Sequence, residues 1–160
     1  MKWIGCLILF YAVFQVGLKK ADRLKHGVDL LFDIWYAVSE IGRQISVSQM
    51  PLPEIYRELA KKEQGRTDLF ERLTTTGDFE RVYHEVKGEL VSSRALAHTM
   101  DSFFRTLGKT ETATQCANCR ETSAKLLVQL EEAQAGMAQR RKMYLTVAAC
   151  IGGMLVLFVL

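Results

Sequence analysis

The feature that most constrains this chain is a pair of uncharged apolar segments, one at each end of its 160 residues. Residues 143–160 carry no charged side chain and follow directly after Arg140, Arg141 and Lys142. Eighteen helical residues extend over roughly 27 Å, close to the roughly 30 Å hydrocarbon core of a bilayer. Because every face of this helix would be apolar or small, residues 143–160 predict a transmembrane helix.

The amino-terminal segment predicts a second span. Residues 3–18 carry no charge, and they lie between Lys2 and the pair Lys19 and Lys20. The alternative is a cleaved signal peptide, which requires small residues at a cleavage site after the apolar stretch. Here the apolar stretch runs directly into the two lysines, so the sequence favours an uncleaved anchor over residues 1–20.

The positions of the basic residues predict the orientation. All lysines and arginines except Lys2 lie between positions 19 and 142. By the positive-inside rule, residues 21–142 form a cytoplasmic domain between the two membrane segments. Basic and acidic residues are nearly balanced in this domain, and no concentrated basic face stands out, so the sequence does not indicate a nucleic-acid partner.

The domain is predicted to be all-α, a compact helical bundle. From residue 22, apolar side chains recur at intervals of three and four, which is helical spacing. Pro51 and Pro53 interrupt this helix, and a proline in a first turn followed by Glu54 starts the next one, with Gly65 as its predicted stop. The first apolar stripe comprises Leu24, Val28, Leu31, Trp35, Val38 and Ile45, with Gly42 in the remaining place.

Four further helices are predicted after Gly65. Two are short, a third begins after serine caps and ends at Gly108, and the last opens with Thr110 as N-cap and continues into the terminal span. Their predicted buried residues are Leu69, Phe70 and Leu73; Phe79, Val82, Tyr83, Val86 and Leu90; Leu96, Met100, Phe103, Phe104 and Leu107; and Leu126, Leu130, Ala133 and Met137.

The sharpest candidate for chemistry is the C-x-x-C pair Cys116 and Cys119. A structural zinc would need two more ligands, and the three histidines are not paired at ligand spacing. A redox pair would be expected at a helix start that follows a strand, and no strand is predicted here. We therefore expect two free thiols on one helix, with a membrane-tethered thiol or zinc protein as the alternative.

Other catalytic patterns are missing from the sequence. It contains no phosphate-binding loop, no G-x-S-x-G and no H-E-x-x-H. Glu131 and Glu132 lie among polar residues on a helix, where a solvated face is expected. The sequence predicts no enzyme, no cofactor, no metal and no small-molecule substrate.

The terminal segment also contains small residues at helix-packing spacing. Ala149 and Gly153 are four positions apart, as are Ala148 and Gly152. Such a face lets another helix approach closely within a membrane, and residues 3–18 of the same chain are the first candidate partner.

Several segments together resemble a known family. "SEIG" in the first helix is followed by "PLPEIYREL", by "LGKTETATQ" and by a long helix ending "RRKMYLTVAACIGGMLVLFVL". In this order and spacing the chain resembles the stage III sporulation protein AB family of endospore-forming bacteria over essentially its whole length. The most specific pieces are the turn Pro51 to Pro53 and the residues Leu107, Gly108, Thr110, Glu111 and Gln115.

The resemblance implies a function. Members are components of the secretion-like channel between mother cell and forespore, and their bundles look like the cytoplasmic domains of type II secretion and type IV pilus platform proteins. It implies a non-enzymatic protein in the outer forespore membrane, with its central domain in the mother-cell cytoplasm. Its partners would be the lipid bilayer, the sporulation ATPase encoded with it and other membrane subunits of the channel. A general membrane-anchored helical adaptor is a further alternative.

Overall fold

A computed structural model describes residues 2–48, 50–61, 65–90 and 94–159, while most side chains of residues 2–18 and 155–159 lie outside the described part. Every regular element in these ranges is an α-helix, which confirms the all-α class. The helices are α1 (Lys2–Ser48), α2 (Leu52–Ala60), α3 (Leu69–Thr76), α4 (Phe79–Val86), α5 (Arg94–Thr106) and α6 (Thr112–Val159).

The chain divides into two compact units, and α1 and α6 contribute to both. One unit comprises Met1–Lys25 and Gln134–Leu160, and the other comprises His26–Ala133. In the first unit, the ammonium group of Lys20 lies 5.9 Å from the ring centroid of Tyr144. The second unit contains the bundle that we call the helical core. The predicted domain boundaries at residues 20 and 142 stay predictions.

The two predicted membrane spans require a correction. Within the described part of the chain, no helix contains a stretch both long enough and apolar enough to cross a bilayer. The structure therefore does not support flanking transmembrane helices over 1–20 and 143–160. Most side chains of residues 3–18, and many of those of residues 143–160, lie outside the described residues.

The part of α1 within the helical core is its central helix. Val28, Leu31, Val38 and Ile45 of the predicted stripe are buried, whereas Leu24 and Trp35 are only partly covered. α1 also buries residues that lie beside the predicted stripe. These additional buried residues include Leu30, Asp33, Ile34, Ala37, Glu40 and Ile41.

The proline-containing turn starts α2 as predicted. Pro51 is the N-cap with φ −65° and ψ 145°, and its carbonyl accepts hydrogen bonds from the amides of Glu54 and Ile55 at 3.0 and 3.2 Å. Pro53 lies in the first turn, where the missing amide hydrogen costs no helical bond. Ile55 and Leu59 are buried and fix α2 against the helical core.

Gly65 does not have its predicted role as the stop of α2. The helix ends at Ala60, and residues 62–64 lie outside the described part of the chain. A Cβ atom at Gly65 would lie 2.5 Å from Cδ2 of Phe70, so this glycine permits a close approach of the backbone to an aromatic ring. The sequence pattern indicated a helix end, but tertiary packing explains the residue.

The segment after α2 is held by the carboxylate of Asp33, which has no solvent exposure. Asp33 accepts hydrogen bonds from the amide of Arg66 at 2.9 Å, the amide of Thr67 at 2.8 Å and the Thr67 hydroxyl at 2.6 Å. The guanidinium of Arg66 lies 3.7 Å from the ring centroid of Phe32. A buried charge is tolerated only when its hydrogen bonds are satisfied, and here a loop provides them.

An aromatic cluster joins α2, α4 and α5. The Phe79 ring lies 5.7 Å from that of Phe104 and 6.4 Å from that of Tyr56, and Tyr83 lies 5.4 Å from Phe104. Such distances fit the edge-to-face and tilted arrangements that aromatic rings prefer. The predicted buried residues of α3, α4 and α5 are confirmed, except Leu107, which is only partly covered.

The turn between α5 and α6 follows the prediction in part. Gly108 has φ +76° and ends α5 in the left-handed conformation that favours glycine. Thr110 is not the N-cap of α6, because the helix begins at Thr112 and the first carbonyl bonded along it belongs to Glu111. The Thr110 hydroxyl instead donates to the carbonyl of Thr106, at 3.4 Å. The serines predicted to cap α5 lie outside the described residues.

Replacing Asp33 by alanine should destabilise the helical core. The change leaves the amides of Arg66 and Thr67 without their buried acceptor, and we expect a loss of about 3 kcal/mol in the free energy of unfolding. Denaturant unfolding of the full chain, followed by circular dichroism, measures this loss.

Asp29, one turn earlier on α1, provides the matched control. Its carboxylate lies 3.6 Å from Arg66 Nη1 and remains partly exposed, so Asp29→Ala should cost less than about 1 kcal/mol. Equal losses for the two variants would show that burial and backbone hydrogen bonding at Asp33 are not what stabilises the loop.

Candidate functional site

The two longest helices approach each other closely at Gly42 of α1 and Cys119 of α6. A Cβ atom on Gly42 would lie 2.7 Å from Cβ of Cys119, so a glycine is required at this crossing. Further along, Ile45 of α1 shares a cavity with Gln115 of α6. Because the residue numbers rise in one helix while they fall in the other, α1 and α6 run antiparallel within the helical core.

A groove of about 270 Å³ opens beside this crossing, and we call it the α1–α6 groove. Its walls provide two guanidinium groups, three hydroxyl groups and one thiol. Guanidinium and hydroxyl groups are hydrogen-bond donors suited to carboxylates and other anions. The groove is lined by Ser39, Gly42, Arg43, Ser46, Cys119, Arg120 and Ser123.

Arg43 is held at the groove by a buried acid. Its Nε and Nη2 atoms donate to the carboxylate of Glu40 at 2.8 and 2.6 Å, and Gln44 Nε2 donates to the same carboxylate at 3.1 Å. The side chain of Glu40 is 9% exposed and that of Arg43 is 54% exposed. The hydrogen bond with Glu40 raises the pKa of Arg43 above its usual value. Arg43 is therefore a permanently charged group of fixed orientation.

Arg120 is exposed on the opposite wall of the groove. No ion pair joins it to another residue in the described part of the chain. On the same helix, by contrast, Lys125 donates to Glu121 at 2.6 Å. The guanidinium of Arg120 is thus available to a ligand outside the chain.

A second cavity of about 380 Å³ lies at the end of the helical core, and we call it the bundle-end pocket. It brings together the Pro51 to Pro53 turn and the Gly108 to Gln115 segment, which are far apart in the sequence. A Cβ atom on Gly108 would lie 2.9 Å from Cδ1 of Leu52, so the left-handed glycine also permits this contact. The pocket is lined by Ile45, Met50, Pro51, Leu52, Pro53, Gly108, Thr112 and Gln115.

Two large apolar side chains near the end of α1 are exposed. Met50 lines this pocket and is 39% exposed, and Val47, one turn after Arg43, is 71% exposed. Pro51 and Pro53 are also exposed. Contiguous exposed apolar residues often mark a surface that contacts another molecule.

Sequence reasoning did not identify either cavity. Arg43 and Val47 are one turn apart on one helix face, and this spacing could be recognised in the sequence. The position of Arg120 opposite Arg43 was not available, because it depends on how α1 and α6 cross.

Cys116 and Cys119 are both free thiols on α6, as the sequence predicts. Cys116 is partly covered, whereas Cys119 is only 2% exposed. Burial raises the pKa of the Cys119 thiol to about 11. Reactive thiols have a lowered pKa and lie in exposed, electropositive surroundings, so Cys119 does not have the properties of a redox nucleophile.

The three histidines considered as zinc ligands have contacts with residues other than the cysteine pair. His26 Nε2 lies 3.0 Å from Glu89 Oε2, and His84 Nδ1 lies 3.1 Å from Lys87 Nζ. His98 lines a separate cleft between α5 and α6. In the described ranges, no three His, Cys, Asp or Glu side chains are grouped to bind a metal ion.

The remaining predicted positions are on α6. Glu131 and Glu132 are exposed, as expected for a solvated face. A Cβ atom on Gly153 would meet no described atom within 4 Å, and the side chain of Ala149 lies outside the described residues. Membrane packing through Ala149 and Gly153 stays a prediction.

Comparison with known proteins gives one match. A family model described as stage III sporulation protein AB matches residues 2–160. No curated protein and no solved structure matches the chain.

Replacing Gly42 by alanine should force α1 and α6 apart. The new Cβ would clash with the Cβ of Cys119, and we expect a loss of about 2 kcal/mol in the free energy of unfolding. Gly136 on α6 is the matched control because an added Cβ there meets only Arg140 Nε, at 4.0 Å. Gly136→Ala should stabilise the chain by up to about 1 kcal/mol, since alanine favours a helix. If chemical denaturation showed that both variants change the free energy of unfolding in the same direction, the close approach of α1 and α6 at Gly42 would be contradicted.

The two thiols of the C-x-x-C pair should differ strongly in reactivity. In a chain with Cys6 and Cys150 replaced by serine, maleimide at pH 8 should label Cys116 first. With its pKa raised to about 11, Cys119 is almost entirely protonated at this pH, so its labelling should be slower by about a hundredfold or more.

The labelling rate of Cys119 should increase as the pH rises towards 11, because the thiolate is the reacting form. Labelling in guanidinium chloride provides the control, since unfolding removes the burial and should make the two rates similar. Equal rates for the two thiols in the folded chain would contradict the burial of Cys119.

Proposed function

Because this chain belongs to the stage III sporulation protein AB family, whose model covers residues 2–160, we propose that it is a non-enzymatic component of the sporulation channel. In this proposal it docks the cytoplasmic sporulation ATPase encoded with it to membrane subunits of the complex. Family membership supports a role in sporulation. The docking role is our inference from the surface of the helical core.

The observation that carries this proposal is the surface formed by the α1–α6 groove and the bundle-end pocket. It combines the exposed guanidinium of Arg120 with the exposed side chains of Val47 and Met50. Polar groups that fix orientation, next to apolar groups that supply buried area, are typical of protein interfaces. A docking function accounts for both kinds of group on one surface.

The proposal is non-enzymatic because the buried polar groups already have structural roles. The carboxylate of Asp33 binds the backbone of residues 66 and 67, and that of Glu40 binds Arg43. The thiol of Cys119 is buried against α1, and its pKa is raised to about 11. A catalytic acid, base or nucleophile must instead reach a substrate. We accordingly propose no cofactor, no small-molecule substrate and no nucleic-acid ligand.

The proposed location is the outer forespore membrane, with the helical core in the mother-cell cytoplasm. The support for it comes from the sequence. Residues 3–18 and 143–160 carry no charge, and the basic residues next to them, except Lys2, lie on their inner sides. In this arrangement the helical core faces the compartment in which an ATPase would find ATP.

Purification from sporulating cells tests the proposal. Membranes from cells that express the tagged full chain are washed in low salt and solubilised in detergent, and the chain is then captured. We expect the chain in the membrane fraction, together with the ATPase and channel subunits.

The Asp33→Ala variant is a suitable comparison because it should weaken the helical core without altering either apolar end. It should remain in the membrane fraction and retain less ATPase. Two results would count against the proposal: release of the wild-type chain into the low-salt wash, or its recovery from membranes without any channel subunit.

A further inference from the structure

We propose that the α1–α6 groove and the bundle-end pocket form one docking surface for a partner helix of defined chemistry. The partner helix carries an acidic side chain that enters the groove and, about two turns away, a large apolar side chain that enters the pocket. This inference rests on the proposed function, because the partner is a protein subunit of the same assembly. It adds the location of the surface and the residue types that the surface recognises.

The two cavities adjoin along both helices. On α1, Ser46 in the last turn lines the groove, and Met50 and Pro51 just beyond the helix end line the pocket. On α6, Cys119 lines the groove, and Gln115, about one turn earlier, lines the pocket. An extended ligand along the α1–α6 crossing would therefore contact both cavities.

The groove half of the surface favours a carboxylate. Arg120 is exposed and has no ion pair within the described ranges, and Arg43 faces the same space with 54% of its side chain exposed. The planar guanidinium group binds a carboxylate through two parallel hydrogen bonds. Every other side chain with a polar atom lining the groove is a serine hydroxyl or the Cys119 thiol. The lining side chains therefore carry two positive charges, of which that of Arg43 is paired with Glu40.

The pocket half favours an apolar side chain. Ile45, Leu52 and the two prolines provide its apolar wall, and Met50 borders it with 39% of its surface exposed. Val47 is four residues after Arg43, on the same face of α1, and is 71% exposed. Covering these side chains would add the hydrophobic contribution that the charged groove lacks.

The spacing of the two halves predicts the spacing on the partner. On α6, Arg120 of the groove lies five and eight positions from Gln115 and Thr112 of the pocket, which corresponds to roughly 8 to 12 Å along the helix axis. A partner helix presents residues i and i+7 on one face at about the same separation. We therefore expect an acidic residue and a large apolar residue seven positions apart.

The same features favour a protein helix over other anionic ligands. Binding to an anionic membrane surface generally uses a cluster of four or more cations, whereas this groove contains two arginines. A nucleic acid requires a longer basic track with stacking platforms. The exposed apolar residues next to the arginines fit neither of these ligands, but they fit an amphipathic helix.

A zero-length crosslink tests the acidic contact directly. A carbodiimide joins a lysine amine to a carboxylate in contact with it, so the variant Arg120→Lys converts the groove into a reporter of bound carboxylates. The full-length variant is expressed in sporulating cells, its assembly is purified, and crosslinked peptides are identified by mass spectrometry. Arg81→Lys on α4 is the matched control, because Arg81 is 77% exposed and outside both cavities.

We expect position 120 to crosslink to an aspartate or glutamate of another subunit, with a large apolar residue seven positions away in that subunit. Position 81 should give no such crosslink. If position 120 crosslinks no more often than position 81, or only within its own chain, the inference is overturned. The same conclusion follows if Arg120→Glu weakens assembly but no carboxylate crosslinks to position 120, since the ligand would then be a different anion.

Two substitutions separate this inference from the proposed function. Arg120→Glu reverses the charge of the groove, and Val47→Asp places a charge on the apolar half, while Arg81→Glu is the control. Each of the first two should reduce recovery of the partner subunit by about tenfold or more, whereas the control should not. Circular dichroism of each purified variant establishes that it is folded.

Which chains lose their partner subunits shows whether the proposed function or only this docking surface is wrong. If the wild-type chain recovers no channel subunit, the proposed function fails, and this inference fails with it. If the wild-type chain recovers its partners and Arg120→Glu and Val47→Asp do so equally well, the docking function stands, and only this surface is wrong.

Discussion

The buried carboxylate of Asp33 is the interaction on which the arrangement of the helical core depends. A charge without access to water requires hydrogen-bond donors from the protein, and the central helix has no free backbone amides to offer. The amides of residues 66 and 67 and the Thr67 hydroxyl fill this need. The loop after α2 is thereby fixed to α1, and α3 begins two residues later at a defined place. The aromatic cluster of α2, α4 and α5 then completes the same compact unit.

The close approach of α1 and α6 determines the geometry of the candidate site, as Asp33 determines the position of the loop. Because Gly42 has no side chain, the backbone of α1 comes close to Cys119, and Arg43 and Arg120 lie on two walls of one groove. The same contact buries Cys119 and raises the pKa of its thiol to about 11. The cysteine pair that was the sharpest sequence candidate for chemistry therefore contributes to packing, while its neighbour Arg120 is exposed in the groove.

Sequence reasoning predicted the helices and most of their buried faces, because helical periodicity, proline and glycine act locally. It located the start of α2 at the proline turn and the end of α5 at Gly108. It was wrong about Gly65 and Thr110, since each was interpreted as a helix boundary. The structure places Gly65 against the Phe70 ring, and the Thr110 hydroxyl bonds back to α5. In both cases a contact four or five positions away along the chain, which helix-boundary rules do not consider, explains the residue. The flanking membrane spans, predicted from uncharged runs, are not supported within the described part of the chain.

The sequence by itself determined the all-α class, the order of the helices, the family and the free state of the described cysteines, because each depends on residue types and on spacing along one segment. Only the tertiary structure decided that Asp33 holds the loop at residues 66 and 67, that Gly42 meets Cys119, and that Arg43 and Arg120 share a groove beside Val47 and Met50. These features join residues separated by 33 to 77 positions. Their positions follow from the packing of whole helices against one another, and the period of a single helix contains no information about its neighbour.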